Sequence, residues 1–538
     1  TFGIMTAARK LDTSAIDYRA RLGISWEPSS YQIAIWDHVR IGRGHAVVNA
    51  VAGSGKSTTI VQAAKLISGE GLFLAFNKSI ADELGAKLKG TSMRASTIHA
   101  HGNAAVRDAC GRVRVESRKY WDMVRLIERE AKGGTLFGAA LPQRAARMLT
   151  DKPRSFPGKE IIRLIDLARL SLVNCELPEG DFATEVGDIA ARQGVQWDYA
   201  FDGVVERCVQ RMMQAGMRDT NVIDFTDMVW LPCVHGYQPK RYAWILVDEC
   251  QDLSPAALEL IKRSVARGGR CIFVGDPKQA IYSFAGADTE AFSKIVDFCG
   301  GVSLPLSVCY RCPSSAIELA KEFCPQIEAR PGAPEGAVRD IMEDTLGDEV
   351  REGDMILCRQ TAPLVSTCLM LIGKGLPARV KGKDIGEGIV RVAKEAAELG
   401  GGFDRLAVGL SSWYAAQYDR LVRKHGDNED AIKDGADRLA DQVSCVEVIA
   451  DRSQASTEDE FASAVSEIFD DSRASVQLST VHRAKGLESE RVFIVRPELL
   501  ESPRARTPQQ MEQEQNLFYV ALTRCKSELV FVREGREE

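Results

Sequence analysis

The 538-residue chain has no run approaching the roughly 20 apolar residues needed to cross a bilayer, and its start has no apolar signal region. On that reading the protein has no membrane partner and is expected in the cytoplasm. Paired cysteine spacing is also missing: of 14 cysteines only Cys309 and Cys312 sit close, around Tyr310 and Arg311. A zinc knuckle needs a second close pair, so structural zinc is excluded and the thiols are expected to be buried and reduced. There is no low-complexity tract and no internal repeat of about 20 to 50 residues, which excludes solenoid architectures. Nor is there a basic excess. The formal charge of −6 argues against indiscriminate nucleic-acid binding while allowing a local basic groove.

What is present is an ordinary globular composition, 45% hydrophobic and 27% charged, so the chain should fold. Its length exceeds the roughly 250 to 300 residues at which single cores stop growing, so three or four modules are expected. Short apolar runs at Ala46 to Ala50, Leu72 to Phe76, Trp244 to Asp248 and Cys271 to Gly275 are each followed by helix-like sequence. A second set covers Met355 to Cys358, Val476 to Thr480, Val492 to Val495 and Leu529 to Val532. Continuous apolar strands alternating with helices predict parallel sheets covered on both faces, hence two α/β cores. Residues 102–220, rich in Arg, Ala and Leu at helical spacing, read as a helical insertion in the first core. Residues 379–473 interrupt the second core in the same way, with a flexible link at Gly400-Gly401-Gly402.

Ala50-Val51-Ala52-Gly53-Ser54-Gly55-Lys56-Ser57, followed by Thr58, is a Walker A loop with Ala at its first glycine position. Glycines let the backbone approach phosphate, and the amides opening the next helix can hold phosphate oxygens. Lys56 can reach the β and γ phosphates of ATP, and the Ser57 hydroxyl can ligate Mg²⁺. This alone says only NTPase. Ile245-Leu246-Val247-Asp248-Glu249 supplies two acids at a strand end, where residues face the nucleotide crevice. Asp248 can hold the metal shell, and Glu249 can orient and deprotonate the attacking water.

Further motifs make the pattern specific. Asp248-Glu249-Cys250-Gln251-Asp252 resembles the DExQD box of UvrD-like superfamily 1 helicases, and the stretch from Gly275 to Asp288 is similar to that family's motif III. Thr480 to Glu488 resembles motif V and Asn516 to Arg524 motif VI. The resemblance is to the UvrD, PcrA and Rep branch, with a motif Ia in the style of F-box DNA helicases and phage relatives. It implies two RecA-like cores: 1A at residues 1–101 and 221–305, and 2A at 306–378 and 474–538. The insertions are 1B at 102–220 and a short 2B at 379–473.

The resemblance also implies roles. Gln279 senses the γ phosphate, while Arg311 and Arg524 point at it from the second core; such arginines are worth about 10³ to 10⁵ in rate in related NTPases. Gln32, preceded by Tyr31, reads the adenine edge, Tyr310 stacks on the base, and Glu488 accepts a ribose hydroxyl. The single-strand track is expected to use aromatics for bases and small polar or basic groups for phosphates. Its candidates are Phe76, Asn77 and Lys78 in motif Ia, Thr97 and His99 in motif Ib, then Phe225, Tyr282, Phe284 and His482. Phe284 stands where the family commonly has Trp, Ala285 where it has Arg, and Ser489 where it has an aromatic.

The expected activity is ATP- and Mg²⁺-dependent movement 3′ to 5′ along single-stranded DNA with unwinding of duplex, in a bacterial or phage-infected cell. The expected functional unit is a monomer acting at single-strand/duplex junctions, with replication, repair or nuclease proteins as partners. The alternatives are a translocase with little unwinding and a DNA-dependent ATPase subunit of a nuclease or replication complex. A small-molecule kinase would leave motifs Ib, V and VI without a job.

Overall fold

The structure, a computed structural model, describes residues 16–152, 155–281, 291–425, 429–469, 475–500 and 508–535. Two six-stranded sheets organise it. The first runs in the order Ser303–Leu306, Ala46–Ala50, Val265–Gly275, Tyr242–Val247, Gly71–Ala75, Met93–Thr97, and every pairing is parallel. The second runs Ala337–Met342, Cys525–Arg533, Ser489–Val495, Met355–Cys358, Val476–Thr480, Ala378–Val380, again parallel throughout.

Both faces of each sheet are covered, which is why central stretches such as Leu72–Ala75, Ile245–Val247 and Met355–Cys358 are apolar at successive positions rather than at alternate ones. In the first sheet Phe73, Leu246 and Ile272 pack on one side around Trp36, while Leu72, Ile245 and Phe273 pack on the other around Leu260 and Ile261. In the second, Met355 and Leu357 face Tyr519 and Val520, and the intervening Ile356 and Cys358 face Val446 and Phe461. The boundaries expected between residues 305 and 306 and between 378 and 379 each fall inside an edge strand, Ser303–Leu306 and Ala378–Val380.

Helices Lys119–Lys132, Gln143–Asp151, Gly158–Leu170, Glu179–Gln193 and Val204–Arg218 gather around one core that takes no side chain from either six-stranded sheet. The later helices Lys383–Gly400, Leu406–His425, Glu429–Ser453 and Glu458–Ile468 do the reverse, sharing one core with side chains of the second sheet. Among the described residues no helix is long and apolar enough to cross a membrane.

Candidate nucleotide and nucleic-acid site

Strand Ala46–Ala50 leads through a tight loop into helix Lys56–Lys65. Gly53 and Gly55 have φ of +66° and +74°, and a Cβ on Gly53 would sit 2.8 Å from both Arg311 Cβ and Cys309 Sγ. Glycine is therefore required by the dihedral and by the approach of the second lobe. Gly55 caps the helix without a side-chain acceptor, so the first-turn amides are presented to an anion. Ser54 is buried and its hydroxyl donates to Val51 O at 2.8 Å, closing the loop on itself. Thr58 lies exposed on the first turn.

Strand Tyr242–Val247 delivers Asp248 and Glu249 opposite this loop. Ser57 Oγ donates to Asp248 Oδ2 at 3.2 Å, and Lys56 Nζ lies 3.8 Å from Glu249 Oε1. Glu249 has a φ of 52°, a left-handed conformation that costs a non-glycine residue about 1 to 3 kcal/mol. Gln251 fixes its carboxylate. Asp276 N donates to Gln251 Oε1 at 3.0 Å, which turns Gln251 Nε2 toward Glu249 Oε2 at 2.6 Å. Burial, and then the neighbouring Glu249 charge, push the Asp248 carboxyl up to about 6. Burial opposes ionisation of Glu249 too, but Lys56 and Lys485 outweigh it and hold its pKa below the ordinary range. Lys56 is likewise buried, and Glu249, Asp276 and Asp248 together keep its pKa above the ordinary value.

This donor set fits Mg²⁺ with a triphosphate. Among the described residues no group of three or more His, Cys, Asp or Glu could hold a metal. A cation at Ser57 and Asp248 would therefore complete its shell with water and phosphate oxygens, as Mg²⁺ habitually does.

The second lobe closes the site. Lys485 Nζ donates to Asp252 Oδ2 at 2.6 Å and to Gln279 O at 2.8 Å. Tyr519 reaches from helix Pro508–Leu522, its hydroxyl accepting from Ala52 N at 2.9 Å and donating to Asp276 Oδ2 at 3.4 Å. Gln279 is buried, with Nε2 donating to Asp276 Oδ2 at 2.8 Å. Arg311 Nε donates to Glu488 Oε2 at 2.7 Å, and Lys526 Nζ lies 2.9 Å from Glu488 Oε1. Arg524 is buried with Nε on Val520 O at 2.9 Å; burial, then Arg311, lower its pKa to about 10. Ser489 Oγ donates to Gly353 O at 2.6 Å, tying strand Ser489–Val495 to the turn before Met355.

The residues expected at the base sit together but differ in availability. Tyr310 is 37% exposed, and its hydroxyl donates to Gln32 Oε1 at 3.5 Å. Gln32 is only 2% exposed: Ser29 N donates to its Oε1 at 3.0 Å in a capping box, and its Nε2 donates to Thr59 Oγ1 at 3.1 Å. Both ends of its amide are thus already engaged by the chain itself.

Most of the described DNA candidates lie at helix N-termini on one edge of the first sheet. Ala75 and Thr97 are register partners, so Phe76-Asn77-Lys78 and Thr97-Ile98-His99 leave neighbouring strand ends side by side. Asn77 Oδ1 caps its helix by accepting from Ile80 N at 2.9 Å, and Thr97 Oγ1 does the same from Ala100 N at 3.1 Å. Lys78 and His99 are exposed. Phe76 is 48% exposed, and Phe225, 57% exposed, presents its ring to solvent where a base can stack. His482 is different: it is half-buried beside Arg359 and Glu514, and burial, then Arg359, pull its imidazole down to about 4. It is a neutral partner at pH 7, not a cation for phosphate. Tyr282 and Phe284 lie outside the described residues.

Sequence reasoning missed the group that holds Phe225. Asp224 and Asp227 flank it in a capping box, and fully buried Arg169 donates to Asp224 Oδ2 at 2.8 Å and Asp227 Oδ1 at 2.6 Å. Lys119 Nζ adds a bond to Asp227 Oδ2 at 2.7 Å, and the Arg169 guanidinium lies 3.9 Å from the Tyr120 ring centre. The only sequence signal was the acidic frame around Phe225. Its basic partners are 55 and 108 residues away.

A glycine-rich phosphate loop, a strand-end acid pair and cationic groups arriving from a second parallel α/β lobe define a P-loop NTPase of the two-lobed kind. Family comparison narrows the class: the UvrD/REP helicase N-terminal domain matches residues 33–299 and the UvrD-like helicase C-terminal domain residues 422–534. The chain belongs to the UvrD/Rep helicase family. It is 25% identical to F-box DNA helicase protein 1 of Schizosaccharomyces pombe over 311 residues, 54% of this chain and 34% of that protein. It is 34% identical to the ATP-dependent DNA helicase Rep of Escherichia coli over 84 residues, 14% of this chain and 12% of that one. With RecBCD enzyme subunit RecB of Borreliella burgdorferi the identity is 48% over 55 residues, 10% of this chain and 5% of that one. These matches thus span between 5% and 34% of the relatives' own lengths.

Proposed function

We propose that this chain is an ATP-dependent DNA motor that steps 3′ to 5′ along single-stranded DNA and separates duplex. The observation that carries the reading is the set of bonds crossing the cleft. Lys485, Tyr519 and Asn516 from the second lobe meet Asp252, Gln279, Ala52 and Ala280 of the first. Groups drawn from two bodies make catalysis conditional on their closure, the hinge logic of a motor.

Ser57 and Asp248 would hold Mg²⁺, which when bound would neutralise charge on the phosphates of ATP. Lys56, kept cationic by its carboxylate neighbours, holds the phosphate end. Glu249, kept ionised and aimed by Gln251, takes the proton of the attacking water. Arg311 exchanges Glu488 for developing phosphate charge, and Arg524 presents a second guanidinium from behind it. Tyr310 covers the base. Phe76 and Phe225 stack on DNA bases, while Asn77, Lys78, Thr97 and His99 meet phosphates along one sheet edge. The direction of movement rests on the likeness of motifs Ia, III and V to the UvrD branch. A translocase with little strand separation is the second reading, favoured by the helices between residues 383 and 468, which are packed into the second lobe's core.

Lys56→Ala is expected to abolish ATP turnover with the fold intact, and Glu249→Gln to keep ATP binding while stopping hydrolysis. Strand separation on 3′-tailed and 5′-tailed duplexes tests direction. Wild-type turnover in Lys56→Ala removes the nucleotide site, and unwinding from 5′ tails alone reverses the direction.

A further inference from the structure

Helix Ile98–Cys110 begins at the DNA edge and ends in a groove of about 660 Å³ lined by Arg107, Arg112, Val113, Arg114, Val115 and Asn221. We infer that this groove holds the sugar-phosphate backbone of a nucleic acid beyond the stacking track, an inference that rests on the motor reading above.

Charge is the first ground. The chain as a whole carries −6, yet three guanidinium groups line this groove. Arg114 has an acidic neighbour, Glu116, at 3.3 Å between two exposed side chains. Arg107 and Arg112 have no ion pair among the described residues and are exposed. Two unpaired planar forks on one concave wall suit phosphate oxygens, which each fork can bind in bidentate fashion.

Placement is the second ground. Arg107 lies ten residues along the helix from Thr97, about 15 Å at the helical rise. Asn221, also in the lining, lies four residues before Phe225, about 13 Å if extended. It is fixed beside Arg114, because Arg114 N donates to Asn221 O and Glu116 N to Ile223 O, both at 2.8 Å. The groove is therefore joined rigidly to two of the elements that carry DNA candidates. At about 3.4 Å per nucleotide of a duplex strand, that offset is about four phosphates.

The test uses the full chain with Arg107→Gln/Arg112→Gln, both at exposed positions, and thermal melting to check that the fold persists. Binding is read by fluorescence anisotropy between 50 and 200 mM salt, on single strands of increasing length and on 3′-tailed duplexes. Each phosphate that is no longer neutralised lowers the slope of log affinity against log salt by about 0.9 on duplex or about 0.7 on single strands. The expected result is a slope reduced by about 1.4 to 1.8, unchanged ATP turnover without DNA, and recovery of most of the slope in Arg107→Lys/Arg112→Lys. Loss only on tailed duplexes assigns the groove to duplex; loss on single strands, appearing only beyond the shortest bound length, assigns it to the tracked strand. A wild-type slope on both substrates overturns the inference while leaving the motor reading intact. A wild-type protein that binds neither DNA overturns both.

Discussion

The core of the helices between residues 119 and 218, around Phe182, Phe201, Ile165 and Val209, takes no side chain from either six-stranded sheet, whereas Trp413, Val446 and Phe461 of the helices between 383 and 468 share one core with Ile356, Val476 and Phe493 of the second sheet. The first insertion is a body with its own core. It is fastened to the DNA edge by ion pairs from Arg169 and Lys119 to the acids around Phe225. The second adds to the core on one face of the second sheet, where helix Thr361–Gly373 lies directly on the strands and Glu458–Ile468 beside strand Ala378–Val380. Two insertions of similar helical appearance therefore have different dependents: one supports an element beside the DNA candidates, the other half of the nucleotide cleft.

The largest effect that would sharpen this contrast comes from Phe461→Ala, expected to cost about 3 to 5 kcal/mol. Because Arg311, Lys485 and Arg524 belong to the lobe it underpins, heat inactivation of ATP turnover should move down with the melting transition. Phe182→Ala has the same chemistry inside the first insertion, and turnover without DNA should keep its inactivation midpoint while hydrogen exchange between residues 119 and 218 speeds up. Equal loss of turnover in the two variants would erase the distinction.

A smaller effect is expected at the junction of the first insertion with the DNA edge. Phe225→Ala should weaken single-strand binding by about 1 to 3 kcal/mol, measured by anisotropy, with little change in melting because the ring is exposed. Normal binding by this variant would leave the ion-pair frame without a ligand-facing purpose.

The smallest concerns acid. Burial pulls the imidazole of His101, whose Nε2 lies 2.7 Å from Ser264 Oγ, down to about 4. The unfolded chain then binds the proton more tightly, so the stabilisation is complete above the unfolded value of about 6.5 and is lost as pH falls toward 4, about 1 kcal/mol of it by pH 5.5. Hydrogen exchange in residues 98–110 should report that loosening, and His101→Gln should flatten it. A pH-independent wild type would mean that the ring is not dry.

Eight apolar runs legible in the sequence correspond to the interior strands of both sheets, because a strand covered on two faces has little room for polar residues. The four strands that escaped, Met93–Thr97, Ser303–Leu306, Ala337–Met342 and Ala378–Val380, are the edges of the two sheets. Edge strands have fewer neighbours, and Met-Arg-Ala-Ser-Thr or Ser-Leu-Pro-Leu carries no continuous apolar signal. The phosphate loop and the Asp248-Glu249 pair were readable because their chemistry is local to a few residues. Arg169 was not, since only folding brings it to Asp224, and neither was the engagement of Gln32 by Ser29 and Thr59. Reading residues 379–473 as a helical interruption could not say that Phe461 joins the core of the second sheet.

The Tyr519 hydroxyl sits on the amide of Ala52, inside the loop that grips phosphate, although its helix belongs to the other lobe. Parting the lobes frees that N–H for water or for a phosphate oxygen, so cleft closure and loop solvation compete for a single proton. Competition of this kind is symmetric: whatever draws the amide away also loosens the distant helix, by the same free energy. The loop is thus a gauge of where the other lobe stands, with no hinge of its own to move.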